Sequence, residues 1–70
     1  MTQIKRFILN GEMYFTKQNI NIFDLLKYFN YNDDLLVLEY NKLICNKMSW
    51  KNTFIQDHDQ IEIVTIVGGG

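Results

Sequence analysis

The most informative segment of the chain is Ile-Glu-Ile-Val-Thr-Ile-Val at residues 61–67, which runs directly into Gly68-Gly69-Gly70. Its β-branched residues make it the most β-prone part of the chain, so it predicts a strand. Three glycines after a strand have no side chains to pack and lose much conformational entropy when they are ordered. They therefore predict a mobile tail that ends in the Gly70 carboxylate and is narrow enough to enter an enzyme channel.

A hairpin is predicted at the other end of the chain. Residues 3–9 and 12–16 are strand-like, and Asn10-Gly11 between them is the strongest short signal for a type I′ turn. The two-residue loop fixes the predicted pairs: Leu9 with Glu12, Phe7 with Tyr14, Lys5 with Thr16, Ile8 with Met13, and Arg6 with Phe15.

One short amphipathic helix follows the hairpin. Asn21 is its predicted N-cap, and Asp24 occupies the reciprocal capping-box position. An apolar stripe recurs at helical spacing, while Asp24 and Lys27 lie on the solvent side. The stripe consists of Ile22, Leu25, Leu26 and Phe29.

The rest of the chain predicts three more strands, at residues 35–40, 43–45 and 61–67. Asn41-Lys42 is a turn, residues 46–56 are irregular with Trp50 and Phe54 as anchors, and residues 56–60 form a polar turn. The order ββαβββ predicts an α+β fold with one helix across one face of a mixed sheet. With the last strand inside the sheet and parallel to the first, this is the ubiquitin-like β-grasp, over residues 1–67, with residues 68–70 as a tail.

Composition excludes several classes of function. The chain has 70 residues and a net charge of −1, from seven Lys/Arg and eight Asp/Glu, so no basic face for nucleic acid is expected. No apolar run approaches the ~20 residues that span a bilayer, and no signal peptide is expected. Nine Ile, eight Asn and six Lys, with no Ala or Pro, favour an AT-rich genome such as that of an organelle or an AT-rich bacterium.

The single cysteine and the single histidine argue against catalysis and against a metal site. Cys45 and His58 alone supply neither a disulfide, nor a zinc site, nor a complete set of nucleophile, base and orienting group at these positions, so the chain is not expected to be an enzyme. Cys45 is interpreted as a small core residue and His58 as an exposed turn residue. Asp57 and Asp59 are interpreted as turn formers that bond their own backbone.

The whole chain resembles the ThiS family of sulfur carriers. The resemblance is carried by the ending of residues 61–70, by Leu-Asn-Gly-Glu at 9–12, Ile-Phe-Asp-Leu-Leu at 22–26, Val-Leu-Glu-Tyr-Asn-Lys at 37–42, Trp50, and Gln-Asp-His-Asp at 56–59. His58 departs from the family, in which many members have Gly in this turn.

The resemblance implies a protein co-substrate that binds no cofactor itself. A ThiF-like adenylyltransferase would adenylylate Gly70 using ATP and Mg²⁺, with Gly68 and Gly69 threading its channel. A persulfide donor would then convert the adenylate to a thiocarboxylate, and a ThiG-like thiazole synthase would take the sulfur for thiamine. The bacterial cytoplasm or the plastid stroma would be the compartment.

The outer face of the sheet is the predicted docking surface for these partners. If Ile61 and Ile63 point at the helix, Val64 and Ile66 point away from it. By the hairpin pairing, three more apolar side chains share that outer side: Ile8, Met13 and Phe15.

Three alternatives remain open at the level of sequence. The same tail chemistry serves the small subunit of molybdopterin synthase. A β-grasp adaptor would bind a protein through its outer face and would not need Gly69 and Gly70. A protein-conjugating modifier would form isopeptide links to its targets.

Overall fold

The computed structural model describes residues 3–66, and these form five strands around one α-helix. The order of strands and α-helix is the one that the sequence predicts, with a turn after Leu9 and polar segments on either side of the helix. The elements are β1 (Lys5–Leu9), β2 (Glu12–Thr16), α1 (Ile22–Tyr28), β3 (Leu36–Tyr40), β4 (Leu43–Ile44), a 3-10 helix (Lys47–Asn52) and β5 (Asp59–Thr65).

The sheet has the strand order β2-β1-β5-β3-β4. β5 is central and runs parallel to β1, with Leu9 beside Ile61, and antiparallel to β3. All five predicted pairs of the β1–β2 hairpin are present. The predicted β-grasp topology is confirmed, although β5 begins at Asp59, inside the segment predicted as a turn.

Local side-chain chemistry sets both ends of α1. The Asn21 side chain accepts from the Asp24 N–H at 2.8 Å, and the Asp24 carboxylate faces the Asn21 N–H, so the predicted capping box is present. At the other end Asn30 has φ 60°, its N–H donates to the Lys27 carbonyl, and the Tyr31 N–H donates to the Leu26 carbonyl. This is a Schellman motif with asparagine where glycine is usual.

The core lies between α1 and the inner face of the sheet. Ten apolar residues are buried there: Phe7, Leu9, Ile22, Leu25, Leu26, Leu38, Trp50, Ile55, Ile61 and Ile63. They include Ile61 and Ile63, as the strand parity predicts. Burying each such side chain contributes about 1.5–3 kcal/mol against the entropy of folding.

The segment between β4 and β5 differs from the prediction in two respects. Residues expected to be irregular include a 3-10 helix, which buries Trp50 as predicted. The predicted second anchor is wrong, because Phe54 is 38% exposed whereas its neighbour Ile55 is fully buried. The reason is the bridge between Asn21 and Phe54, which extends the backbone there and turns alternate side chains inward.

Candidate functional site

β5, the strand that precedes the glycines, is held on both sides by asparagine side chains from two turns. The Asn10 side-chain oxygen accepts from the Ile63 N–H at 2.7 Å, and the Asn41 side-chain oxygen accepts from the Gln60 N–H at 2.8 Å. Both asparagines have positive φ, 50° and 52°, which this residue tolerates better than most. The two turns therefore fix β5 as well as reversing the chain.

The described part of β5 ends against the start of β3. The Ile66 N–H donates to the Leu35 carbonyl at 2.6 Å, which continues the β3–β5 ladder one step beyond the strand. Gly68, Gly69 and Gly70, the residues predicted to thread a channel and to carry the thiocarboxylate, lie outside the described residues. Their roles stay predictions.

The five predicted docking residues share the outer face but form two separate patches. Val64 and Ile66 are 64% and 51% exposed, and Val64 pairs with Val37, so these three form the tail-proximal patch. Ile8, Met13 and Phe15 form the edge patch. Two strand spacings and four residues of rise separate Val64 from Met13, a distance of about 17 Å.

Polar side chains occupy the surface between the two patches. Gln60 lies beside Ile8, and Glu62 lies directly opposite Glu39 on the neighbouring strand. Both glutamates are exposed, and like charges in directly opposed positions destabilise a sheet slightly. The outer face is therefore not a continuous apolar surface.

A buried carboxylate at the start of the central strand β5 was not anticipated from the sequence. Asp59 is only 5% exposed and accepts hydrogen bonds from the Tyr40 hydroxyl, from Asn41 Nδ2 at 3.1 Å and from the Gln56 N–H at 2.6 Å. Burial and this carboxylate raise the pKa of the Tyr40 hydroxyl well above its usual range. The network ties the β3–β4 turn to the loop before β5.

Asp57 and His58 differ in how they contribute to that loop. The Asp57 carboxylate accepts from the Arg6 N–H on β1 at 2.7 Å, so it joins two distant segments and does not bond only its own turn. That hydrogen bond is the main reason that the pKa of Asp57 is lowered. His58 is exposed, as predicted, and has φ 70°, the region where glycine is favoured.

No candidate metal centre is found among residues 3–66. There is no cluster of three or more His, Cys, Asp or Glu side chains there that could hold a metal ion. Cys45 lies just beyond β4, partly buried against the core, with its carbonyl accepting from Trp50 Nε1 at 2.9 Å. Within the same residues, no helix has the length and apolar character needed to cross a membrane.

Comparisons with known proteins agree with this architecture. The crystal structure of the thiamine biosynthesis protein (ThiS) from Geobacter metallireducens superposes with a TM-score of 0.79 over 93% of this chain and 99% of its own, at 20% identity. Among curated relatives, "Uncharacterized protein ycf40" of Trieres chinensis is 56% identical over the full length of both chains. The protein of the same description from Porphyra purpurea is 34% identical over 89% of this chain and 87% of its own. The family model of the ThiS family matches residues 7–70, and the chain therefore belongs to the ThiS family.

Proposed function

We propose that this chain is a sulfur carrier whose Gly70 is adenylylated and then thiocarboxylated to supply sulfur for the thiazole ring of thiamine. The observation that carries the proposal is a ThiS-family β-grasp whose central strand leads directly into Gly68-Gly69-Gly70. The chain supplies the reacting carboxylate and the docking surface, and its partners supply the catalytic groups.

The chemistry is a two-stage activation of a poor electrophile. The Gly70 carboxylate attacks the α-phosphate of ATP on a ThiF-like adenylyltransferase, and pyrophosphate leaves. A persulfide donor then attacks the acyl-adenylate and displaces AMP, and a thiol cleaves the resulting acyl disulfide to leave the thiocarboxylate. The thiocarboxylate is a softer nucleophile than a carboxylate and transfers its sulfur on a ThiG-like thiazole synthase.

Chain length limits where the enzyme binds. The four residues after Ile66 extend over at most about 14 Å, so the Gly70 carboxylate cannot reach further than that from Ile66. The tail-proximal patch lies at this end of the sheet. We therefore assign it the larger share of the affinity for the adenylyltransferase, and assign the edge patch a smaller share.

Two variants separate docking from chemistry. Adding one residue after Gly70 is expected to leave binding intact and to stop ATP–pyrophosphate exchange. Val64→Asp is expected to weaken binding, because a carboxylate would be desolvated against an apolar partner, and to permit slow exchange at high enzyme concentration. Leu43→Asp is the matched control, since Leu43 is 73% exposed on β4 and should change neither measurement.

The competing functions predict different outcomes. A β-grasp adaptor keeps its function when Gly69 and Gly70 are deleted, whereas the sulfur carrier loses all of it. A carrier for molybdopterin synthase gives the same thiocarboxylate but transfers sulfur to a pterin precursor and not to the thiazole synthase. A protein modifier gives isopeptide-linked adducts on a denaturing gel.

The plastid stroma, or the cytoplasm of an AT-rich bacterium, is the proposed compartment. The proposal rests on the excess of Ile, Asn and Lys, whose codons are AT-rich, and on the absence of Ala and Pro. Localisation of a tagged chain in the source cell tests it.

A further inference from the structure

The outer strand β2 is a long sheet edge that no other described residue covers. The opposite edge, β4, has only two residues, whereas β2 has five. In a hairpin with a two-residue loop, the pairs Leu9–Glu12 and Phe7–Tyr14 exchange backbone hydrogen bonds. The intervening residues of β2, Met13 and Phe15, therefore direct their N–H and C=O groups away from β1 and towards the open edge.

Backbone contacts on the other side of β1 support this alternation. Arg6, the partner of Phe15, donates its N–H to the Asp57 carboxylate and accepts from the His58 N–H. Both backbone groups of Arg6 thus point away from β2, as the hydrogen-bond alternation requires. Phe15 has the matching orientation on the open side.

Exposed apolar side chains surround this edge. Met13 and Phe15 are 58% and 62% exposed on the outer face, and Tyr28 is 80% exposed beside a groove of about 450 Å³ between β2 and α1. An open strand edge with exposed aromatic side chains is a template for pairing with another strand.

We propose that β2 pairs with β2 of a second copy of this chain, antiparallel and about a two-fold axis at Tyr14. In that register Met13 of each copy lies opposite Phe15 of the other, and these residues exchange backbone hydrogen bonds. The two five-stranded sheets then form one continuous ten-stranded sheet. A two-fold arrangement closes on itself, so assembly stops at the dimer.

Charge complementarity selects a second copy in this orientation. The β2 edge is acidic at Glu12 and basic at its other end, where Lys17 follows the strand and Lys5 lies beside Thr16. Antiparallel pairing places Glu12 of each copy in the same inner-face row as Lys5 of the other, with Thr16 between them. A parallel arrangement would place like charges together at both ends.

The dimer can be tested on the chain alone, independently of any sulfur chemistry. Sedimentation equilibrium over a concentration series is expected to show a reversible transition from 8.4 kDa to twice that mass. Phe15→Pro removes an edge N–H that β1 does not use, so the dimer should be lost while circular dichroism shows that the fold remains.

A charge exchange makes the test specific for the proposed register. Glu12→Lys places a lysine near Lys5 of the other copy at both symmetric ends of the interface, and this repulsion should weaken the dimer about fivefold. Adding Lys5→Glu should restore dimer affinity, because it again gives positions 5 and 12 opposite charges. Within one chain these two residues are about 13 Å apart along the hairpin, so they approach each other only across the β2–β2 interface. Glu39→Lys, the same charge change on another strand, should have no effect.

Three results would overturn the proposal. One is a single 8.4 kDa species at every concentration. The second is a dimer that Val64→Asp abolishes and Phe15→Pro leaves intact, which would place the interface on the tail-proximal patch. The third is a failure of Lys5→Glu to rescue Glu12→Lys, which stays decisive even if the proline variant does not fold.

Discussion

Asp59→Asn tests the buried network that ties the β3–β4 turn to the loop before β5. Both carboxylate oxygens of Asp59 accept hydrogen bonds: one from Asn41 Nδ2, and the other from the Tyr40 hydroxyl and the Gln56 N–H. The asparagine side chain has only one acceptor oxygen, so its NH₂ group would replace the other carboxylate oxygen and would face a hydrogen-bond donor. With the amide oxygen kept towards Tyr40, that donor is Asn41 Nδ2.

The neighbouring side chain cannot correct this mismatch without a cost. If Asn41 rotated its amide by 180°, it would lose the bond that its oxygen accepts from the Gln60 N–H at 2.8 Å. An unsatisfied buried polar group costs about 1–3 kcal/mol, and the remaining bonds lose their charge assistance. We expect a total of about 3 kcal/mol, a large part of the ~3–5 kcal/mol stability of a domain this small.

Thermal denaturation followed by circular dichroism measures the effect. A loss of about 3 kcal/mol corresponds to a fall in Tm of roughly 12–24 °C for a domain of this size. Glu62→Gln, an exposed carboxylate on the same strand, is the control and should change little or stabilise slightly, because it removes the repulsion from Glu39.

A compensating exchange between positions 59 and 41 tests the hydrogen bond that joins them. In Asp59→Asn with Asn41→Asp, the new carboxylate at position 41 accepts from both the Gln60 N–H and the amide at position 59. The exchange should recover about half of the lost stability. An Asp59→Asn variant as stable as the parent, or a double variant less stable than the single one, would refute the network as the structure shows it.

Three further predictions concern the loop before β5. His58→Gly should stabilise the chain by about 0.5–1 kcal/mol in urea denaturation, because φ 70° suits glycine; a loss of stability would contradict this. Ile55→Ala should cost about 2–4 kcal/mol and Phe54→Ala under about 1, since only Ile55 is fully buried; equal losses would count against the core assignment. Because the pKa of Asp57 is lowered in the folded chain, the ionised carboxylate stabilises the fold above pH 3.8, and this stabilisation is lost as the pH falls below that value. Asp57→Asn should therefore make the free energy of unfolding less dependent on pH in the acid range.

Elements specified by neighbouring residues were predictable from the sequence. The Asn10-Gly11 turn fixes the hairpin register by its length, and the Asn21–Asp24 capping box needs only residues within one helical turn. The parity of β5 follows from a period of two, so the inward positions of Ile61 and Ile63 were also predictable. In each case the signal and the structure lie within a few residues of one another.

What the sequence did not reveal depends on distant partners. Asp59 resembles any turn aspartate until Tyr40 and Asn41 from another hairpin approach it. Phe54 and Ile55 are adjacent apolar residues in an otherwise polar segment, and the bridge between Phe54 and Asn21 decides that Ile55 is the one buried in the core. The outer face was predicted as one surface, and only the strand order shows that Glu62 and Gln60 divide it.

Three of the eight asparagines occupy backbone positions that favour this residue type, although the composition of the chain is itself rich in asparagine. An AT-rich genome is expected to enrich Asn without structural reason, yet Asn10, Asn30 and Asn41 all have positive φ. These are positions at which glycine or asparagine is favoured. Compositional bias therefore did not weaken the turn signals at these three sites.

Intact-protein mass spectrometry is the decisive measurement of whether Gly70 becomes a thiocarboxylate. The chain is incubated with a ThiF-like adenylyltransferase from the source organism, ATP, Mg²⁺, a persulfide donor and a thiol, with a chain that lacks Gly69 and Gly70 as the control. The expected result is a mass gain equal to the replacement of one oxygen by one sulfur, located at the C-terminus and absent from the control. An unchanged mass, under conditions in which the same enzyme modifies another carrier of the ThiS family, would contradict the proposed role of Gly70.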